Sequence, residues 1–170
     1  MDKKESRVML ERDHKEILQE ADHLYDVLTN LRYEGKVNFG KNVTKVGKIL
    51  KFFNEKLIPH IAVDETIFPF LETHIPKLEP MIRLLQGEHK EIKVNLEVLS
   101  FLLEELVSEK DEHKHPQMVE RLRDKGIYTV YLLRNHIQVE DEGVYRTIEE
   151  DLKPEEKKEL LRKIQGNQVA

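Results

Sequence analysis

A chain of 170 residues that is 39% hydrophobic and 36% charged, with only 7 Gly and 6 Pro, is long enough to bury a core and too apolar to stay disordered. Its net charge of −5, with both signs interspersed, offers no basic stripe for a phosphate backbone, which argues against nucleic acid as a partner. The absence of Cys excludes a disulfide framework, a thiolate zinc site and a cysteine nucleophile, while the charged start MDKKESRVML and the lack of any membrane-length apolar run point to one cytoplasmic domain, 1–170, off the membrane.

The spacing predicts a first helix from about Ser6 to Tyr33, with Ser6 as N-cap and Leu10, Ile17, Leu18, Ala21, Leu24, Leu28 and Leu31 on one face. Gly35 and the stretch KVNFGKN should form a connection. A second helix is expected over roughly Asn42 to Glu72, its core face carrying Val46, Ile49 or Leu50, Phe53, Leu57, Phe68 and Leu71. Pro59 should kink or divide it, because it removes a backbone hydrogen bond and crowds the preceding turn. After the turn HIPKLEP, a third helix opens near Pro80 and runs to Glu109 with Leu85, His89, Ile92, Leu96, Leu99 and Leu103 in steps of four and three. The polar hinge KDEHKH leads to a fourth helix from about Pro116 to Leu152. A short fifth helix, about 154–165 and carrying Leu160, Leu161 and Ile164, should lie across one end, with GNQVA frayed. No segment has a period of two. The expected fold is all-α: an up-down-up-down four-helix bundle over about 6–152, plus the short C-terminal helix.

The two halves echo each other. DHKEI at 13–17 recurs as EHKEI at 88–92, and HIAVDE at 60–65 recurs as HIQVED at 136–141. Residues four apart share a helix face, so His60 with Asp64, and His136 with Glu140, can each converge on one point. His14 and His89 lie on the apolar stripes of the first and third helices. Every long helix thus turns one His inward, and two add an acid one turn away. Burying four imidazoles and two carboxylates without partners would cost several kcal/mol per ionised group. A pair of metal ions removes that cost, and nitrogen plus oxygen donors without sulfur suit iron or manganese, with zinc a common substitute. Any one of these features alone is commonplace: a lone core His, an exposed His-Lys-Glu turn, a surface His–acid pair. The joint pattern across four helices carries the reading.

The pieces ERDHKEIL, HIAVDETIFPFLE, GEHKEI and HIQVEDEGVY resemble the hemerythrin-like, or HHE cation-binding, family over about residues 8 to 150. The second is the most specific, with His60, the acidic pair Asp64-Glu65 and Phe68-Pro69 in register. The resemblance implies two iron ions, oxo- or hydroxo-bridged, with His14, His60, His89 and His136 as terminal ligands and Asp64 and Glu140 as bridges. O2 or NO would be the small-molecule partner, in oxygen, NO or redox sensing, stress protection or iron handling.

Two departures bear on the site. The family has Glu where this chain has Asp64, one methylene shorter, so that the second helix must come closer, the bridge must use one oxygen, or Glu65 must swing in. Oxygen-carrying hemerythrins have a second His one turn from the third-helix His, whereas the positions four before and four after His89 are Leu85 and Lys93. On the fourth helix Glu140 and Asp141 compete for the bridging role, and the echo with His60-Asp64 favours Glu140. Of about twelve positions on two six-coordinate metals, roughly two stay open, against one with a fifth His. Open positions on both metals fit sensing, peroxide or NO chemistry better than reversible oxygen carriage. The remaining histidines, at 23, 74, 113 and 115, read as surface or turn residues. Tyr25, Tyr131 and Tyr145 could hydrogen-bond near the site, but core tyrosines reaching solvent are the readier account. Glu11 with His14, and Glu20 with His23, mimic a ferritin motif yet share one helix, where ferritin needs two. No substrate pocket or general base is legible. The competing reading is a metal-free helical interaction protein, or a mononuclear or zinc-loaded site.

Overall fold

The computed structural model describes residues 5–169, and among them no strand occurs. Helix α1 spans Glu5–Glu34. Helix α2, Phe39–Phe52, passes through a π-helical turn, Phe53–Leu57, into α3, Ile58–His74. Helix α4 is Glu79–Ser108. Helix α5, His115–Val139, continues through a second π turn, Glu140–Tyr145, into α6, Arg146–Asp151. Helix α7, Pro154–Val169, closes the chain. The four long rods are therefore α1, α2–α3, α4 and α5–α6, each antiparallel to the next as short connections require.

Several boundaries differ from the sequence reading, each for a local reason. Ser6 is not the cap of α1, because Glu5 is already helical and Arg7 pairs with Glu11 one turn on. The connection after α1 is shorter than expected: Phe39 and Gly40 are helical, and the turn is held by Glu34, which accepts from Asn38 Nδ2 at 2.7 Å and Asn42 Nδ2 at 3.2 Å. The second rod does continue past Pro59, as the helix expected over Asn42 to Glu72 requires. Pro59 falls at the start of α3, directly after a π turn, and the helix passes through it. The stretch Gly166 to Val169 is helical rather than frayed, and Ala170 lies outside the described residues.

The core forms two apolar clusters. One gathers Ile17, Leu24, Leu28, Phe53, Leu57, Leu99 and Leu133 with their neighbours. The other gathers Leu10, Phe68, Leu71, Leu85 and Ile148, with Leu160 and Ile164 of α7 covering that end of the bundle. Between them lie the buried polar side chains of His14, His60, Asp64, His89, His136 and Glu140. Helix geometry explains this stratum: each of these residues occupies a core-facing position in a stripe that is otherwise apolar, so the polar layer is sealed above and below by hydrocarbon.

Gly35 has φ +55° and nothing within 4 Å of where a Cβ would sit, so its requirement is purely one of backbone conformation. Gly35→Ala should lower unfolding free energy by about 1 kcal/mol, and Gly35→Asn by less, since Asn tolerates the left-handed region better. Equal effects of the two substitutions in thermal or chemical denaturation would refute this account of the turn.

Candidate metal centre

The six polar residues come from all four rods. His14 is on α1, His60 and Asp64 are one turn apart on α3, and His89 is on α4. His136 is in the last turn of α5, with Glu140 one turn on at the start of the second π turn. None is more than 5% exposed. The imidazoles form two pairs of matching shape. The rings of His14 and His60 have centroids 4.7 Å apart at 66°, and those of His89 and His136 are 4.7 Å apart at 57°.

Glu140 spans the pairs. Its Oε2 lies 2.8 Å from His14 Nε2 and 4.0 Å from His60 Nε2, while its Oε1 lies 2.9 Å from His136 Nε2 and 3.5 Å from His89 Nε2. Asp64, the shorter acid, presents Oδ2 at 3.5 Å from His60 Nε2 and 3.7 Å from His89 Nε2, one ring from each pair. Glu65 does not swing inward in its place.

Behind the rings stands a ring of outer carboxylates. His14 Nδ1 meets Asp141 at 2.7 Å, His60 Nδ1 meets Asp13 at 3.1 Å, and His89 Nδ1 meets Glu65 at 2.7 Å. His136 Nδ1 faces Glu88 at 3.6 Å. An acid on Nδ1 favours the proton there and turns the Nε2 lone pair inward. This outer ring obeys the internal repeat. Exchanging α1 with α4 and α3 with α5–α6 carries Asp13 onto Glu88, Glu65 onto Asp141, and Asp64 onto Glu140. The residues competing for the bridging role in the sequence are thus separated: Asp64 and Glu140 face inward, and Glu65 and Asp141 bind imidazoles from outside.

The charges in this layer depend on one another. Burial works against ionisation of Glu140, but the four imidazoles of His136, His14, His60 and His89 around it outweigh that cost and hold its pKa well below the usual carboxylate range. Burial, with the Glu140 charge beside it, pushes the Asp64 carboxyl up to about 8. Burial also opposes charge on His14, yet Asp141 and Glu140 raise its pKa to about 9. His60 is likewise held well above its ordinary value against burial, by Asp64 and Asp13.

The residues present fit a cation. Asp64 Oδ2, His89 Nε2 and Glu140 Oε1 are buried without a hydrogen-bond partner, and all three face the same space. His14 Nε2 and His60 Nε2 lie 2.9 Å apart, close to the ~3 Å that neighbouring imidazole nitrogens subtend on one metal ion at about 2.1 Å each. Two donor sets emerge, one of Asp64, His89, His136 and Glu140 and one of His14, His60 and Glu140, sharing Glu140.

Among protein families, the one described as Hemerythrin HHE cation binding domain matches residues 7–148. The chain belongs to the hemerythrin family. Comparison with curated proteins gives no match. In this hemerythrin domain the buried histidine and carboxylate cluster, on the four rods that the family match spans, fits a metal-binding site. No helix among the described residues is long and apolar enough to cross a membrane.

The other histidines stay apart from the centre. His23 is exposed near Glu20, and His113 is exposed in the hinge. His74 is exposed too, its ring on Phe70. His115 is more than a surface residue: its ring stacks on Phe39 at 4.7 Å and its Nε2 donates to the Glu109 carbonyl, tying the hinge to the start of α2. Tyr131 is exposed under Arg134, and Tyr25 packs at the edge of the first apolar cluster. Tyr145 overturns the reading of a core tyrosine reaching solvent. It is 1% exposed, stacks on His14, and places its hydroxyl inside the cluster.

Loss of an outer carboxylate should act on the metal and not on the fold. Asp141→Asn is expected to weaken metal affinity about 10- to 100-fold with helical content unchanged, measured by competition with a chelator and by circular dichroism. Unaltered affinity would show that the Asp141 bond to His14 has no part in orienting the ring.

Proposed function

We propose that this hemerythrin holds two iron ions on His14, His60, Asp64, His89, His136 and Glu140 and uses them to bind or sense a small oxidant or diatomic molecule, O2 or NO. The observation that carries this reading is the placement of Glu140, whose two oxygens each address a different pair of imidazoles. One carboxylate lying across two histidine pairs is the arrangement expected of a bridge. Asp64, reaching one ring of each pair with a single oxygen, supplies a second. Imidazole and carboxylate donors without sulfur favour iron, with manganese and zinc as competitors for the same positions. An iron pair would supply one-electron redox change and exchangeable positions for a small ligand.

The chain's own residues define what can reach that pair. The donors are sealed between two apolar clusters, which favours a ligand of two or three atoms over an organic substrate. The outer acids hold the rings in orientation and offset their charge, which stabilises the oxidised state of a bound pair. This combination suits sensing of O2, NO or redox state, or protection from oxidative and nitrosative stress.

Anaerobic reconstitution with ferrous iron, followed by metal analysis, should give two irons per chain and, after aeration, near-ultraviolet absorption of a bridged ferric pair. His14→Ala and His136→Ala should each reduce uptake to one iron or fewer. If His14→Ala left uptake unchanged at one iron per chain, the four residues Asp64, His89, His136 and Glu140 would be a mononuclear site and the two-metal reading would be wrong.

A further inference from the structure

The two halves of the site differ in one respect that the repeat does not anticipate. Over His89 lies Phe68, its ring parallel within 2° at a centroid distance of 5.6 Å. Over His14 lies Tyr145, within 15° at 5.2 Å. Phe68 follows Asp64 by four residues in regular α-helix, so the repeat pairs it with Val144. The π turn Glu140–Tyr145 shifts the register by one. In an α-helix a residue five places on points about 140° away, but in a turn closed by i→i+5 hydrogen bonds it returns to nearly the same face. Tyr145 therefore takes the position over His14 that Val144 would have held, and it brings an oxygen where Phe68 brings only carbon.

That oxygen is among the inward donors. Tyr145 Oη lies 3.2 Å from Asp64 Oδ1, 3.3 Å from Glu140 Oε2 and 3.4 Å from His14 Nε2. These spacings are close to the ~3 Å that separates neighbouring donors around one metal ion. Glu140 Oε2 is also the oxygen that addresses the His14–His60 pair. We propose that Tyr145 is a seventh donor of the centre, its phenol oxygen completing the coordination of the cation held by His14 and His60. The phenol releases its proton to solvent as the cation binds. This rests on the two-metal reading above and refines it: of the roughly two positions otherwise free, Tyr145 fills one. About one exchangeable position is left, on the cation held by His89 and His136, and small ligands bind there.

The test is the colour of the ferric protein. The full chain loaded with ferric iron should show a phenolate-to-iron charge-transfer band in the visible, and Tyr145→Phe, which keeps the ring over His14, should retain its iron and lose that band. Resonance Raman excitation within the band should enhance phenolate ring vibrations in the unsubstituted protein, an answer that does not depend on how well the variant folds. Two irons per chain with no visible band, or a band that persists in Tyr145→Phe, would overturn the proposal and leave the two-metal reading standing. A chain that takes up no iron would overturn both.

Discussion

A carboxylate buried among four imidazoles is the interaction on which the rest of this structure depends. Glu140 is shut off from solvent, and alone it would be costly to keep ionised. Four histidines, one from each rod, make its charge favourable, and it in turn raises the pKa of His14 and His60 against burial. Removing any one of these partners leaves the others buried without compensation, which is why the layer behaves as a unit. The same arrangement of inward lone pairs can hold metal ions, with the cations displacing protons that otherwise balance the carboxylates.

Duplication supplies the geometry. A helix bearing an acid and His in sequence, followed by a helix bearing His-Ile and an acidic pair, builds half of the layer, and the second half repeats it with Asp and Glu interchanged at three positions: 13 with 88, 64 with 140, and 65 with 141. The interchange keeps charge while changing reach by one methylene. At the inward positions the longer side chain, Glu140, touches both histidine pairs with separate oxygens, and the shorter, Asp64, reaches both with one. Asymmetry is completed by the π turn in the fourth rod, which sets a hydroxyl on one side of the layer and a hydrocarbon ring on the other.

The rods and the inward histidines were legible because a stripe of period 3.6 records burial directly, and a His on that stripe has nowhere else to go. The internal echo made positions comparable between halves and favoured Glu140 over Asp141, and both Glu140 and Asp64, each four places after a histidine, face inward. What was not legible depends on backbone irregularity or on contacts between rods. A π turn leaves no periodicity of its own, so the π turn before Pro59 and the aim of Tyr145 could not be read from spacing. The outer acids Asp13, Glu65, Glu88 and Asp141 were visible inside the repeated motifs. Their partners were not, because each binds a histidine on a different rod from its own. The stacking of His115 on Phe39 joins residues far apart in the chain and was hidden for the same reason.

Diffraction from crystals of iron-loaded protein, collected at the iron absorption edge, tests the central claim most directly. Two separate anomalous peaks should flank the Glu140 carboxylate, one against Nε2 of His14 and His60 and the other against Nε2 of His89 and His136. A single peak, or iron found only at surface acids with the buried layer unchanged, would contradict the account.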